Sequence, residues 1–477
     1  METLWPLLVG VCAIIIAATA SAHVILHKRD VRAAIGWVGL LWLAPFVGVA
    51  LYGLLGINRI QRRASELRLH RPHAREALEG RSTTPTVGLE LPAADRHLAA
   101  IARLVDTMAA FPLVAGNAIE PMTGVEAFQA MIEAIGAAEH TVAMSTYIFD
   151  NDHAGHLLAD ALEEAVDRGA SVRLLIDGVG ARYSFPTMLG ELRARRIPVA
   201  EFLPTFVPIH MAYANLRNHR KILVVDGRLG FTGGMNVRRA YLLSADRQRA
   251  TADTHFRITG PVVAHLSTTF AEDWAFCTGE RLTGEGWFPG LAPAGETVAR
   301  GIAAGPDEDF ERIRFAILAA LSQAQRRIRI VTPYFVPEPM LMTSLAVAAM
   351  RGVAVDILIP GSNNLRLVQW ASRAKIGQLL RRGCRIWQTP LPFDHSKLMT
   401  VDGIWSLIGS ANWDQRSLRL NFEFNIECYD PVQTERLNAI IDAKQRASRP
   451  LLLGEVEDRA LFFKLRDGAA WLLSPYL

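Results

Sequence analysis

The sequence predicts an α/β protein of two similar domains with pseudo-twofold symmetry, preceded by a two-helix transmembrane hairpin. Three observations predict it: two charge-free stretches at the N-terminus, segment pairs that recur in one order about 180 residues apart, and a His-x-Lys sequence at the same place in each copy.

The charge-free stretches run from Thr3 to His27 and from Ala33 to Asn58, with no Asp, Glu, Lys or Arg in either. Both exceed the ~20 residues that cross a bilayer, so helices over about 3–26 and 34–56 are expected within residues 1–58. A signal peptide is the competing reading, but METLWP lacks a basic n-region and a second apolar run follows at once. Lys28, Arg29 and Arg32 flank the short connection, whereas Arg59, Arg62, Arg63, Arg68, Arg71 and Arg75 follow the second stretch. The larger basic cluster is expected to stay inside, which makes the protein multi-pass with its globular part cytoplasmic. Residues 59–110 read as a juxtamembrane linker with a short helix around Ala93 to Ala109.

The repeat begins after that linker. AAEHTVAMSTYIF (137–149) and AQRRIRIVTPYFV (324–336) each run from a helix end into an apolar strand that finishes in aromatic residues. RGASVRLLIDG (168–178) and RGVAVDILIPG (351–361) each read as a basic helix end, a Gly stop and a buried strand. HRKILVVDGRLGFTGGMN (219–236) and HSKLMTVDGIWSLIGSAN (395–412) complete the set. Two α/β domains over 111–290 and 300–477 follow, facing each other.

Within the third pair, His219 and Lys221 lie two apart on an apolar strand and share a face, as do His395 and Lys397. Asp226-Gly227 and Asp402-Gly403 favour tight hairpin turns, so both aspartates are expected to build turns and support the site from there. The returning strands end just before Asn236 and Asn412, which brings His, Lys and Asn to one end of each domain.

The chain has 45 arginines and six lysines, yet both motifs use lysine. A compact ammonium can meet a phosphate oxygen where a guanidinium fork demands bidentate room. The asparagine amides can donate to the same oxygens and stabilise a five-coordinate phosphorus. One neutral imidazole can attack phosphorus while the other, protonated, gives its proton to the leaving alkoxide.

H219-R-K221-x4-D226 with Asn236, and H395-S-K397-x4-D402 with Asn412, resemble the paired motifs of the phospholipase D superfamily. The resemblance implies two phospholipase D-like domains, a phosphohistidine intermediate, no metal or other cofactor, His219 as nucleophile and His395 as acid and base. It also implies an acidic residue some thirty positions after each histidine that hydrogen-bonds the imidazole; Asp253 and Glu423 fit. The apolar leader and the ending RDGAAWLLSPYL resemble those of bacterial cardiolipin synthases. That implies phosphatidyl transfer between two phosphatidylglycerol molecules, other anionic phospholipids as ligands, and a place in the bacterial inner membrane. A membrane-bound phospholipase D is the second reading and a nuclease the third. The apolar leader counts against nucleic acid as the partner, and oligomeric state stays open.

Other signals are excluded or bland. No lysine follows a glycine, so there is no Walker A sequence. D177-G-V-G-A-R182 begins a CDP-alcohol transferase pattern, but Ala194 and Pro198 stand where its aspartates belong. Cys12, Cys277, Cys384 and Cys428 make no metal spacing. His153, His156 and the run 193–196 are expected to be solvated helix positions. His255 either lines the pocket or packs. The apolar runs at 462–463 and 471–473 either touch a bilayer or pack on the domain. A net charge of +4 suits an anionic partner without choosing between lipid and nucleic acid.

Overall fold

The β-branched and Leu-rich runs become strands whose side chains are buried on both faces, as expected where helices cover a sheet on both sides. The computed structural model describes residues 4–28, 31–53, 89–204, 216–242, 246–305 and 311–474. The first half supplies β1 (Val114–Thr123), β2 (Thr141–Thr146), β3 (Ser171–Asp177), β4 (Val199–Phe202), β5 (Ile222–Val225), β6 (Leu229–Gly233), β7 (Thr251–Ala252) and β8 (Thr254–Thr259). The second half begins with β9 (Thr297–Ala304), β10 (Arg327–Val331), β11 (Phe335–Val336), β12 (Ala354–Pro360), β13 (Arg385–Thr389) and β14 (Phe393–Asp394). It ends with β15 (Leu398–Val401), β16 (Trp405–Gly409), β17 (Trp413–Asp414), β18 (Glu423–Tyr429) and β19 (Arg449–Pro450).

Fifteen of these form one sheet in the order β19-β13-β12-β10-β15-β16-β18-β9-β1-β8-β6-β5-β2-β3-β4. Read outward from the centre, β1-β8-β6-β5-β2-β3-β4 matches β9-β18-β16-β15-β10-β12-β13, so the predicted pseudo-twofold repeat is the sheet itself. Its axis passes between β1 and β9, which pair antiparallel through Val114 with Ala299 and Asn117 with Thr297. Parallel neighbours β2 and β3 are joined through the helix His153–Asp167, and β10 and β12 through Pro339–Met350. The glycines that stop those helices, Gly169 and Gly352, have φ of +94° and +92°. One hydrophobic cluster crosses the axis, packing Phe256, Leu266 and Phe270 of the first half with Phe424, Ile426 and Leu437 of the second. The halves are therefore fused through a shared core.

Both Asp-Gly turns form as the sequence predicts. Asp226 and Gly227 have φ of +50° and +63°, and Asp402 and Gly403 have +54° and +76°, the left-handed pair of a two-residue hairpin turn.

The expected hairpin of two spanning helices takes a different form. The first stretch is one helix, Leu4–His27, and its segment Trp5–His27 is long and apolar enough to cross a membrane. The second is not one unbroken helix over its described residues: it forms Val31–Leu43 and Pro45–Leu51, broken at Ala44. Pro45 has no N–H to donate to the preceding turn, and Ala44 leaves the helical region with φ of −144°. The pieces pack together around Val24, Leu41 and Tyr52, with His23 Nδ1 2.9 Å from the Tyr52 hydroxyl. Residues 54–88, most of the expected linker, lie outside the described residues. Past them, Ala93–Leu98 and Ala99–Asp106 are helical and bury Leu98, Ile101 and Val105 in the core of the second half.

Candidate active site

Each His-x-Lys sequence enters its hairpin through a backbone contact with the other half. The His219 N–H donates to the Phe422 carbonyl at 2.9 Å, and the His395 N–H donates to the Ala252 carbonyl at 2.7 Å. The short parallel pair β7 and β14 makes the second of these contacts, and a single bridge between Asn218 and Phe422 makes the first. The residue after each accepting carbonyl is acidic, and its carboxylate lands on the imidazole. His219 Nδ1 lies 3.0 Å from Glu423, and His395 Nδ1 lies 3.0 Å from Asp253.

This corrects the expectation read along the sequence. Counting thirty residues onward pairs Asp253 with His219 and Glu423 with His395, whereas the fold exchanges the partners across the axis. With Nδ1 held by a carboxylate, Nε2 is the second nitrogen of each ring, and that of His395 lies 3.1 Å from Lys397 Nζ.

The cleft between the halves has a volume of about 200 Å³, and His219, His395, Asn236 and Asn412 all line it. Asn236 accepts from the Ile148 N–H at 3.2 Å through Oδ1, which leaves its NH2 as donor. Asn412 donates to the Ser417 hydroxyl at 3.2 Å, and its Oδ1 is buried with no partner among the described residues. Lys221 and Lys397 are buried behind the histidines instead of on the wall. Each ammonium donates to its own histidine's carbonyl at 2.6 Å, and Lys397 Nζ is also 3.1 Å from the His395 ring.

Burial governs the electrostatics of this cluster. It holds both imidazoles well below their usual range, helped by Lys221 beside His219 and Lys397 beside His395. Burial also pushes Lys221 down to about 7 and Lys397 down to about 8, and Asp253 and Glu423 up to about 7 each. Burial thus favours the neutral form of both imidazoles at the cleft wall. An anionic phosphodiester would draw the lysines and histidines back toward their protonated forms.

The motif aspartates do not line the cleft. Asp226 accepts from the backbone N–H groups of Glu139, His140 and Thr141 at 2.7–3.0 Å. Asp402 accepts from Gln325, Arg326 and Arg327 at 2.8 Å each and from His97 at 3.0 Å. Each ties its hairpin turn to the start of the neighbouring strand, β2 or β10, in keeping with the turn-building role read from the sequence.

Several cleft residues went unread in the sequence. Tyr147 and Tyr334 follow the matching strands β2 and β10 and meet His219 and His395 edge-on, at 5.2 and 6.1 Å between ring centroids. Their signal was available in the recurring YIF and YFV. Tyr241 places its hydroxyl 3.2 Å from His395 Nδ1, and Arg217, Arg238 and Arg416 line the cleft. None of these is marked by spacing. Asp177, from the rejected transferase pattern, accepts from the Asn218 N–H at 2.8 Å and so anchors the chain one residue before His219. His255 packs under the site: it is buried and absent from the cleft wall. His153 is exposed, and His156 pairs with Glu191 at 3.0 Å on the protein surface. Arg195 of the 193–196 run makes surface ion pairs with Asp160, Glu163 and Glu191. Among the described residues, no group of three or more His, Cys, Asp or Glu side chains is placed to hold a metal ion.

A duplicated α/β sheet that brings one histidine from each half to a shared cleft, with a lysine buried behind each, defines a phospholipase D-like protein. The family model described as "Cardiolipin synthase, PLD-like domain" matches residues 131–274 and 317–444. The cardiolipin synthase of Geobacillus thermodenitrificans is 33% identical over 98% of this chain and 94% of its own. The major cardiolipin synthase of Bacillus subtilis is 30% identical over 94% of this chain and 95% of its own. A solved phosphatidylserine synthase from Haemophilus influenzae shares the fold, with a TM-score of 0.63 over 80% of this chain and all of its own at 15% identity. The chain belongs to the cardiolipin synthase family of the phospholipase D superfamily.

Proposed function

We propose that the protein is a cardiolipin synthase that moves a phosphatidyl group from one phosphatidylglycerol to another, releasing glycerol, in a cleft assembled by domains over 111–290 and 300–477. The observation that carries this reading is the crossed arrangement: two imidazoles, each fixed through Nδ1 by the other half's carboxylate, line one cleft. The full-length relatives support the choice of substrates.

In the proposed sequence His219 Nε2 attacks the phosphorus and the bond from phosphorus to the glycerol oxygen breaks. His395, protonated by the charge of the bound phosphodiester, gives its proton to that oxygen and glycerol leaves. The hydroxyl of a second phosphatidylglycerol then gives its proton to His395 and attacks the phosphohistidine, breaking the P–N bond and forming cardiolipin. Lys221, Lys397 and the amides of Asn236 and Asn412 offset the charge gathered on the non-bridging oxygens. One phosphodiester replaces another, so the exchange needs no nucleotide. Asp226 and Asp402 act on this scheme through the hairpins they hold. The apolar N-terminus anchors the chain in the bacterial inner membrane, with the cleft on the cytoplasmic side.

The test is mass spectrometry of the lipids formed when the purified chain meets phosphatidylglycerol alone, with EDTA and without CTP or CDP-lipid. Cardiolipin with matching glycerol release is expected. Phosphatidic acid without cardiolipin would assign the protein as a hydrolase instead.

A further inference from the structure

The cleft's rim is apolar at two matching places in the repeat. The loop after β3 carries Tyr183, which lines the cleft and is 54% exposed, and Phe185, which is 97% exposed. The segment after the paired strand β12 carries Leu365, which lines the cleft and is 48% exposed, and Leu367, which is 44% exposed. Among the described residues, nothing in its own half covers this nearly bare phenylalanine beside the cleft.

A third element continues this surface. The helix Leu461–Leu472 packs Ala470 against Val336 and Val368, and both valines line the cleft. Just past its end, the Ser474 hydroxyl accepts from Gln415 Nε2 at 3.3 Å, between the cleft residues Asp414 and Arg416. While that face is seated beside the cleft, Leu461, Phe462, Leu465 and Leu472 project outward, each 64–72% exposed.

Bases outnumber acids on the two helices of this surface. Residues 361–380 contain Arg366, Arg373 and Lys375 and no acid. In 461–473 the sole acid is Asp467, buried and paired with Arg459 and Arg466. Two tryptophans sit under cations here: Lys375 Nζ lies 4.0 Å from the Trp471 ring and Arg466 Cζ lies 4.4 Å from Trp370. Exposed Leu and Phe, half-covered Trp and a surplus of bases form the composition that settles at the headgroup level of an anionic bilayer.

We propose that this face, made of the two rim loops and the C-terminal helix, docks into the headgroup layer of an anionic bilayer. A lipid phosphodiester then passes from the leaflet to His219 and His395 without crossing water. The inference rests on the phosphatidyl-transfer reading for its purpose and on the exposed face for its geometry.

The test uses the full chain and two substrates: long-chain phosphatidylglycerol in vesicles, and short-chain water-soluble phosphatidylglycerol in neutral detergent. Phe462→Ser with Leu472→Ser, and separately Phe185→Ser with Leu367→Ser, are expected to slow vesicle turnover about tenfold and to leave short-chain turnover within about twofold. No loss on either substrate, or equal loss on both, overturns the proposal. A second readout is independent of turnover. A fluorophore on Leu465→Cys, with the native cysteines replaced by alanine, is expected to be quenched by phosphatidylglycerol brominated along its acyl chains, while the same probe on Glu164→Cys is not. Absence of quenching at position 465, including a blue shift without quenching that would mark a protein partner, overturns the proposal. Quenching in a chain that turns over neither substrate would sink the phosphatidyl-transfer reading and leave the docked face standing.

Discussion

The two halves carry the same motif, but the carboxylates behind it are supported differently. Glu423, which holds His219, is itself held by the Ser410 hydroxyl at 2.5 Å and by Asn421 at 3.2 Å. At the matching place Gly234 stands where Ser410 does, and a Cβ there would come within 2.5 Å of Asp253. The shorter Asp253 lies where that side chain would be, and Tyr241 supplies a hydroxyl to His395 instead. His219 therefore rests on a hydroxyl-braced glutamate, while His395 shares its carboxylate-facing nitrogen with a tyrosine. The difference teaches that duplication conserved the scaffold and let the supports diverge. A fixed imidazole suits the nucleophile, and a ring with a polar neighbour suits the group that takes and gives protons.

The largest test of that contrast removes the rings themselves. His219→Ala and His395→Ala are each expected to lower cardiolipin formation by about 10³-fold or more, since one removes the nucleophile and the other the proton carrier. Substantial turnover in either variant, measured as product per folded enzyme, would break the two-histidine scheme.

Changing the carboxylates comes next. Glu423→Gln and Asp253→Asn keep shape and remove charge, and each is expected to cost about 10²-fold in rate. Rapid-quench trapping should show slower phosphohistidine formation in Glu423→Gln. The same measurement in Asp253→Asn should show the adduct, once formed, persisting longer.

The pH profile sharpens the comparison at a smaller scale. Asp253 and Glu423, raised by burial to about 7, must be ionised, so activity falls as pH drops below that value. Lys221 and Lys397, lowered by burial to about 7 and about 8, must be protonated, so activity also falls as pH rises through that range. A narrow bell in kcat/KM is expected. Its alkaline limb should move upward in kcat, because a bound phosphodiester raises the lysines.

The smallest effect on rate belongs to the motif aspartates. Asp226→Asn and Asp402→Asn each weaken a carboxylate that gathers three backbone N–H groups, and are expected to cost about 1–3 kcal/mol of stability with near-normal turnover per folded molecule. Burial raises the Asp402 carboxyl, but its backbone donors and His97 outweigh that and hold it below the usual range. Its contribution is therefore present above the ordinary aspartate pKa and lost as pH falls through the lowered one. Thermal unfolding of both variants at neutral and acid pH checks this, and a well-folded but inactive Asp226→Asn would contradict it.

Much of the fold was legible because it repeats. The segment pairs ordered the strands of both halves, and Asp-Gly at 226–227 and 402–403 specified turns that only left-handed φ can make. The cleft's histidines and asparagines were legible for the same reason. The exchange of Asp253 and Glu423 was not, because it depends on where β7 meets β14 and where Asn218 meets Phe422, contacts between residues more than 140 apart in sequence. Hydropathy alone also missed the break at Ala44, since a window that counts charges gives Pro45 no weight as a helix breaker.

The crossed pairing is the central claim, and the most direct measurement is imidazole ¹⁵N NMR of histidine-labelled protein, with His219 and His395 assigned through their alanine variants. Glu423→Gln is predicted to shift the Nδ1 signal of His219 and leave that of His395 in place, and Asp253→Asn to do the reverse. If instead Asp253→Asn moved His219, each half would be holding its own histidine and the crossed site would be wrong.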